Sequence, residues 1–226
     1  MKRFPSRSCR AVACLLGYPD DALRAALDEI EAVVVEESAL SKDARAGLQA
    51  LIRQLRRGES FEVEARYVDT FDRGRATSLH LFEHVHGDSR DRGPAMVDLL
   101  QTYEQAGLYL APGELPDYLP VALEFAATQE AAVARDFLGE MAHILNALHT
   151  ALVQRQSPYA AAIAAVLEMA GERVQHVALP PEEGLDDAWA EPPAFDGCAT
   201  KGQNRPEHPQ PIHIVRKPAP SQGARA

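Results

Sequence analysis

Cysteine is scarce here: Cys9, Cys14 and Cys198 are the three among 226 residues, and none stands in a CxxC pair. The odd count speaks against a closed disulfide framework, and the spacing fits no usual structural zinc motif. A reducing cytoplasm is therefore the expected compartment. Positive charge is also short, with 23 Lys plus Arg against 33 Asp plus Glu and a net charge of −10. Such a chain repels phosphate backbones, so nucleic acid is not an expected partner. The same acidity attracts a basic peptide and speeds its capture in a salt-dependent way. Long apolar runs are missing as well. Nothing approaches the roughly 20 apolar residues of a membrane-spanning helix, so no direct membrane insertion is expected. Lys2, Arg3, Arg7 and Arg10 do precede an apolar run, Ala11 to Leu16, but that run is shorter than a signal-peptide core, and Pro19, Asp20 and Asp21 follow it. No export signal is read there. Strand-like alternation of β-branched and aromatic residues is lacking too, and no internal repeat occurs, which leaves a helical body as the simplest architecture.

What the chain does have is helical periodicity. Leu23, Leu27, Ile30 and Val34 fall on one face, and Leu48, Leu51, Ile52 and Leu55 do so one segment later. Met96, Leu99, Leu100 and Tyr103 repeat the pattern, followed by Leu119, Ala122, Leu123 and Ala126. The longest stripe is Val133, Phe137, Met141, Ile144, Leu148 and Leu152; it contains no proline and one tolerable glycine, Gly139, and is expected to form the central helix. Ser157 and Pro158 are expected to cap and open a last helix carrying Ile163, Val166 and Leu167, and Pro94 to open one earlier. The expected fold is all-α: a single helical bundle over residues 1–179, with a disordered tail over 180–226. Nine of the 16 prolines lie in that tail, interspersed with Gly, Gln and charge. Ile212, Ile214 and Val215 are a short apolar island within it, read as inert.

Polar chemistry concentrates between Asp69 and Arg92, where four Arg, five acids and three His share 24 residues. Every base there apart from histidine is Arg, which favours planar bidentate pairing with carboxylates over loose solvated charge. The expected arrangement is a short helix over His80 to His86, then a loop bearing Asp88, Arg90 and Arg92. Within it, His80-Leu81-Phe82-Glu83-His84 spells HxxEH, the inverted zinc-protease motif, in which helical i, i+4 histidines hold zinc and the glutamate activates water. Such a site needs a third ligand, and only distant residues such as Glu168 or Glu172 offer one. The competing reading pairs His84 with Asp88 and Glu83 with an arginine across the turn, making His80, Glu83, His84, His86, Asp88, Arg90, Asp91 and Arg92 a fixed polar network with no metal. That reading requires fewer assumptions. Cys9 and Cys14 are read as ordinary small residues of the first helix. His143 and His149, six apart on one helix, cannot share a face. Tyr18, Tyr67, Tyr103, Tyr109 and Tyr118 are equally suited to a peptide groove and to a core.

Three stretches resemble one known family. Ser78-Leu79-His80-Leu81-Phe82-Glu83-His84-Val85-His86-Gly87-Asp88-Ser89-Arg90-Asp91-Arg92-Gly93, continuing to Ala95-Met96-Val97-Asp98-Leu99, looks like the hallmark of the NarJ nitrate reductase molybdenum cofactor assembly chaperones, members of the wider TorD-like helical group. Leu16-Gly17-Tyr18-Pro19 is similar to a short turn near the start of that family. Glu114-Leu115-Pro116-Asp117-Tyr118-Leu119-Pro120, ahead of Leu123-Glu124-Phe125, is the third match, and together the resemblance spans residues 8–175. It implies a TorD-like bundle that is no enzyme and carries no cofactor. Such a protein would bind the N-terminal segment of the catalytic (alpha) subunit of membrane-bound nitrate reductase, holding it until the molybdenum cofactor is inserted and delaying membrane attachment. A monomer or weak homodimer is expected, with Phe82, Met96, Tyr103 and Tyr118 as apolar client contacts beside the polar network. Two alternatives remain open at this point: an HxxEH zinc hydrolase, and a helical adaptor for another redox enzyme's maturation peptide.

Overall fold

A computed structural model describes residues 4–37, 39–86 and 91–179. Its described residues form ten α-helices and one 3-10 turn, with an isolated antiparallel bridge between His80 and Tyr118 and no strand. The helices are α1 (Ser6–Leu16), α2 (Asp21–Glu36), α3 (Lys42–Arg57), α4 (Ser60–Phe71), α5 (Leu81–Val85), α6 (Arg92–Gln105), α7 (Leu119–Thr128), α8 (Ala131–Glu140), α9 (Ala142–Gln154) and α10 (Ala160–Ala170). The Pro-rich tail over 180–226, with its Ile212, Ile214 and Val215 island, lies outside the described residues. None of the described helices is long and apolar enough to cross a membrane.

Local chemistry starts the early helices where the periodicity begins. Asp20 accepts the Leu23 N–H at 2.8 Å and Ser41 accepts the Ala44 N–H at 3.1 Å, so α2 and α3 each open on a side-chain cap. The buried residues of α2 are Leu23, Leu27, Ile30 and Val34, and those of α3 are Leu48, Leu51, Ile52 and Leu55, the two stripes read from spacing. On α7 the stripe Leu119, Ala122, Leu123 and Ala126 is buried along with Phe125 and Ala127, because this helix packs on both α1 and α8.

The centre lies elsewhere than expected. α10 buries Ala162, Ile163, Ala165, Val166, Leu167, Met169 and Ala170 and packs on α9, α3, α8 and α1. Small side chains let neighbours approach: a Cβ on Gly47 of α3 would lie 2.9 Å from the Cβ of Ala161. The long stripe from Val133 to Leu152 is two helices, broken at Met141, where the Met141 N–H bonds back three residues to the Leu138 carbonyl at 3.2 Å. The break lets each half find its own neighbours. Phe137 of α8 meets Phe125, whereas Ile144, Leu148 and Leu152 of α9 enter the core, and Val133 is left 49% exposed. Ser157 and Pro158 do not cap α10. They lie in a turn of i to i+3 bonds, Ala160 N–H to Ser157 and Ala161 N–H to Pro158, and the helix begins at Ala160. At its end, Gly171 at φ +85° turns the chain left-handed while the Glu172 N–H reaches the Leu167 carbonyl at 2.9 Å.

Candidate functional site

The polar segment folds around a residue that its own sequence does not contain. Leu79 to Leu81 runs antiparallel to Asp117 to Leu119: the Leu81 N–H reaches the Asp117 carbonyl at 2.9 Å, and the Leu119 N–H reaches Leu79 at 2.9 Å. This pairing carries the Asp117 side chain to full burial, 0% exposed. A carboxylate so placed needs several partners, and α5 with its cap residue and the start of α6 supply them. His80 Nδ1 lies 3.3 Å from Asp117 Oδ1, the Phe82 N–H donates to Oδ2 at 3.3 Å, and Arg92 Nη2 lies 3.5 Å from the same oxygen. The Arg92 guanidinium also stands 3.5 Å from Glu83 Oε1, and the His80 ring lies over Tyr118 at 5.3 Å. Asp117 thus ties α5, the start of α6 and the start of α7 together.

The electrostatics follow from that arrangement. The hydrogen bond to Asp117 holds the His80 pKa above the ordinary histidine value, against the opposing effect of burial. Burial pushes the Asp117 carboxyl up, but the hydrogen bond and charge of His80, the Phe82 N–H and Arg92 outweigh it, and its net shift is downward. His84 is different. Burial holds it below the ordinary value, and its Nε2 lies 2.8 Å from the Ser78 carbonyl, so the tautomer assigned is the one that donates there.

This geometry leaves little of the HxxEH reading. His80 precedes α5 and turns its Nδ1 to Asp117, His84 turns its Nε2 to backbone, and Glu83 pairs with Arg92. Glu168, one candidate third ligand, is bound to the Ser41 hydroxyl at 2.7 Å on the face between α10 and α3. Among the described residues no group of three His, Cys, Asp or Glu is placed to hold a metal. Arg92, expected on the loop, is the first residue of α6, and Asp91 immediately precedes it, exposed. His86 packs edge-on against Phe82 at 5.6 Å. Asp88 and Arg90 lie outside the described residues, and with them the expected His84 to Asp88 pairing.

The four apolar candidates are dispersed. Tyr103 is 1% exposed, its ring lies against Phe125 and Phe137 and its hydroxyl donates to the Pro116 carbonyl at 2.9 Å, so it offers a partner no surface. Phe82 and Tyr118 are half-buried against the core, and the Tyr118 hydroxyl meets that of Tyr67 at 3.3 Å. Met96 is half-buried on α6. Of the other tyrosines, Tyr67 belongs to the core, while Tyr18 and Tyr109 are exposed. Cys9 donates its thiol to the Leu123 carbonyl at 3.3 Å, and burial pushes that thiol up to about 12, which makes it unreactive.

The spacing of the apolar residues did not mark an open groove of about 560 Å³ between α1 and α2. Leu23, Ala26 and Ile30 contribute its apolar lining, and Arg7, Arg10 and Glu29 also line it, with Cys14 beside them. Arg7 meets Glu36 at 3.3 Å and Arg10 meets Glu124 at 3.5 Å, in ion pairs open to solvent.

The family model described as nitrate reductase delta subunit matches residues 37–165. Over 164 residues the chain is 46% identical to the nitrate reductase molybdenum cofactor assembly chaperone NarJ of Escherichia coli strain K12, covering 72% of this chain and 69% of that protein. It is 39% identical over 162 residues to the probable assembly chaperone NarW of the same strain, covering 72% and 67%. With the probable NarJ of Bacillus subtilis strain 168 the identity is 35% over 153 residues, covering 66% and 80%.

Proposed function

Because this chain belongs to the nitrate reductase delta subunit family, we propose that it binds the N-terminal segment of the catalytic subunit of membrane-bound nitrate reductase and keeps that subunit open for molybdenum cofactor insertion before membrane attachment. It is a system-specific assembly chaperone and not an enzyme. The observation that carries this reading is the 46% identity over 164 residues with a relative named as a nitrate reductase molybdenum cofactor assembly chaperone. The alignment is supported by chemistry: a chain of net charge −10 suits a basic, amphipathic client segment. Charge speeds encounter, and apolar burial slows release. Ordering a disordered segment costs part of the gross interaction energy, which keeps the capture reversible.

In this reading the cluster of His80, Glu83, Arg92 and Asp117 fixes the segment beside the client, and Phe82, Met96 and Tyr118 remain available as apolar contacts; Tyr103 acts only from within the core. The protein works in the cytoplasm as a monomer or weak homodimer. Neither a zinc hydrolase nor an adaptor for another redox enzyme's peptide finds support in the geometry or the comparisons. The test is the molybdenum content of the catalytic subunit purified from cells with and without this chain. The reading expects a subunit largely lacking the metal when the chain is absent; full loading in its absence overturns it.

A further inference from the structure

Past Gly171 the chain leaves α10 and runs to residue 179 without helix or strand. Two main-chain hydrogen bonds hold it to α9: the Gln175 N–H donates to Asn146 Oδ1 at 2.6 Å, and the Val177 N–H donates to Thr150 Oγ1 at 3.2 Å. Both acceptors lie deep, Asn146 at 5% and Thr150 at 2% exposure. Each is also fixed from behind by its own helix. The Asn146 side-chain NH2 donates to the Ala142 carbonyl at 2.9 Å, and the Thr150 hydroxyl donates to the Asn146 carbonyl at 2.8 Å. With those donors engaged in the helix, α9 turns a pair of oriented acceptors toward the segment.

The spacing suits extended main chain of any sequence. Acceptors at i and i+4 of a helix stand about 6 Å apart along its axis, and N–H groups at i and i+2 of an extended chain about 6.6 Å apart. A segment running parallel to α9 therefore meets both acceptors with donors that every residue except proline carries. Its side chains contribute little: Val177 and Leu179, two apart, are half-covered, and those from Arg173 to His176 are exposed, as is Ala178. A tie made of two hydrogen bonds and few buried apolar contacts belongs to the low end of local stability. We propose that Asn146 and Thr150 form a binding site on α9 for extended peptide main chain, and that residues 173–179 are a strap that occupies this site and opens from it without unfolding of the helices. The resident ligand is the chain's own segment, and a peptide of the same sequence added in solution takes its place once the strap is lifted.

The experiment reads the strap in two ways, both on the full chain. Hydrogen exchange followed by NMR measures opening in the parent: the Gln175 and Val177 amides should be protected about 10- to 100-fold relative to an unstructured peptide, yet exchange far faster than the buried Val166 amide of α10. Absence of protection, or protection equal to that of Val166, overturns the strap. The second reading uses Gln175→Pro/Val177→Pro, which removes both donors while proline keeps a φ compatible with extended backbone; far-ultraviolet circular dichroism checks its fold. A synthetic peptide of residues 172–179 is titrated into isotopically labelled parent and variant, and the Asn146 side-chain amide and Thr150 backbone amide are followed. Because a closed strap weakens the apparent affinity by the open fraction, the peptide should bind the variant tighter than the parent by the protection factor itself, about 10- to 100-fold. Adding Thr150→Val to the proline variant, which deletes one acceptor, should weaken the peptide at least about five-fold. Equal affinity for parent and folded proline variant, no saturable binding to that variant, or an affinity unmoved by Thr150→Val overturns the site.

Discussion

The residue that organises the candidate site is Asp117, a fully buried carboxylate whose partners are His80 just before α5, Phe82 in α5 and Arg92 at the start of α6. Replacing it with Asn keeps the shape but removes the charge that His80 and Arg92 face. The expected cost is about 1 to 3 kcal/mol of unfolding free energy by urea titration. A variant as stable as the parent would mean that His80 and Arg92 find equivalent partners in water. His80 adds a pH dependence with a definite sign. Because its pKa is raised, its contribution is complete below the ordinary histidine value and is lost as pH rises through the raised one; the Asp117 contribution is lost only on strong acidification, as pH falls through a lowered value. The stability difference between the parent and His80→Gln should therefore shrink between about pH 5.5 and about pH 8.5. A constant difference across that range would show that the bond to Asp117 does not depend on imidazole charge. None of this was legible in the segment from Asp69 to Arg92. Its sequence offered Asp88 as the nearest acid for a histidine, whereas the partner observed lies 37 residues from His80 and is brought in by two backbone bonds. A single sequence carries no local trace of such a pairing; the Pro116-Asp117-Tyr118 stretch entered only through resemblance.

Among the elements, amphipathic helices with a single buried face were legible and helices covered on several sides were less so. α2 and α3 bury the four residues their spacing indicated, since each has one face toward the core and solvent on the other. α10 is so surrounded that its apolar content is nearly continuous, and periodicity cannot distinguish a central helix from a merely apolar one. The stripe through Val133 and Leu152 failed for a different reason: apolar spacing continues through Met141 although the helix does not, because a change of direction costs one backbone turn and lets Phe137 reach the cluster of Phe125 and Tyr103. The closest helix contact gives a test at this scale. Gly47→Ala gains about 1 kcal/mol of helix propensity but sets its new Cβ 2.9 Å from that of Ala161. The crowding should win, with a net loss of about 1 kcal/mol by urea denaturation. A higher melting temperature would show that α3 and α10 separate easily.

For the whole molecule, the negative charge and the lack of a long apolar helix restricted the partners before any fold was known, and the resemblance of residues 78–99 indicated the family that the comparisons establish. What composition could not give was the distribution of charge: the α1/α2 groove carries Arg7 and Arg10, each paired with a glutamate, beside Glu29, while α6 and the loop after it expose Asp98, Glu104 and Glu114. We propose that this acidic helical protein captures the N-terminal segment of a nitrate reductase catalytic subunit. Calorimetric titration of the full chain with that peptide at about 50 mM and about 300 mM salt tests it most directly, because exposed charge pairs are strongly screened over that range while apolar contacts are not. Stoichiometric binding is expected at both concentrations, several-fold weaker at the higher; a folded protein that gives no binding heat at either would overturn the capture of that segment.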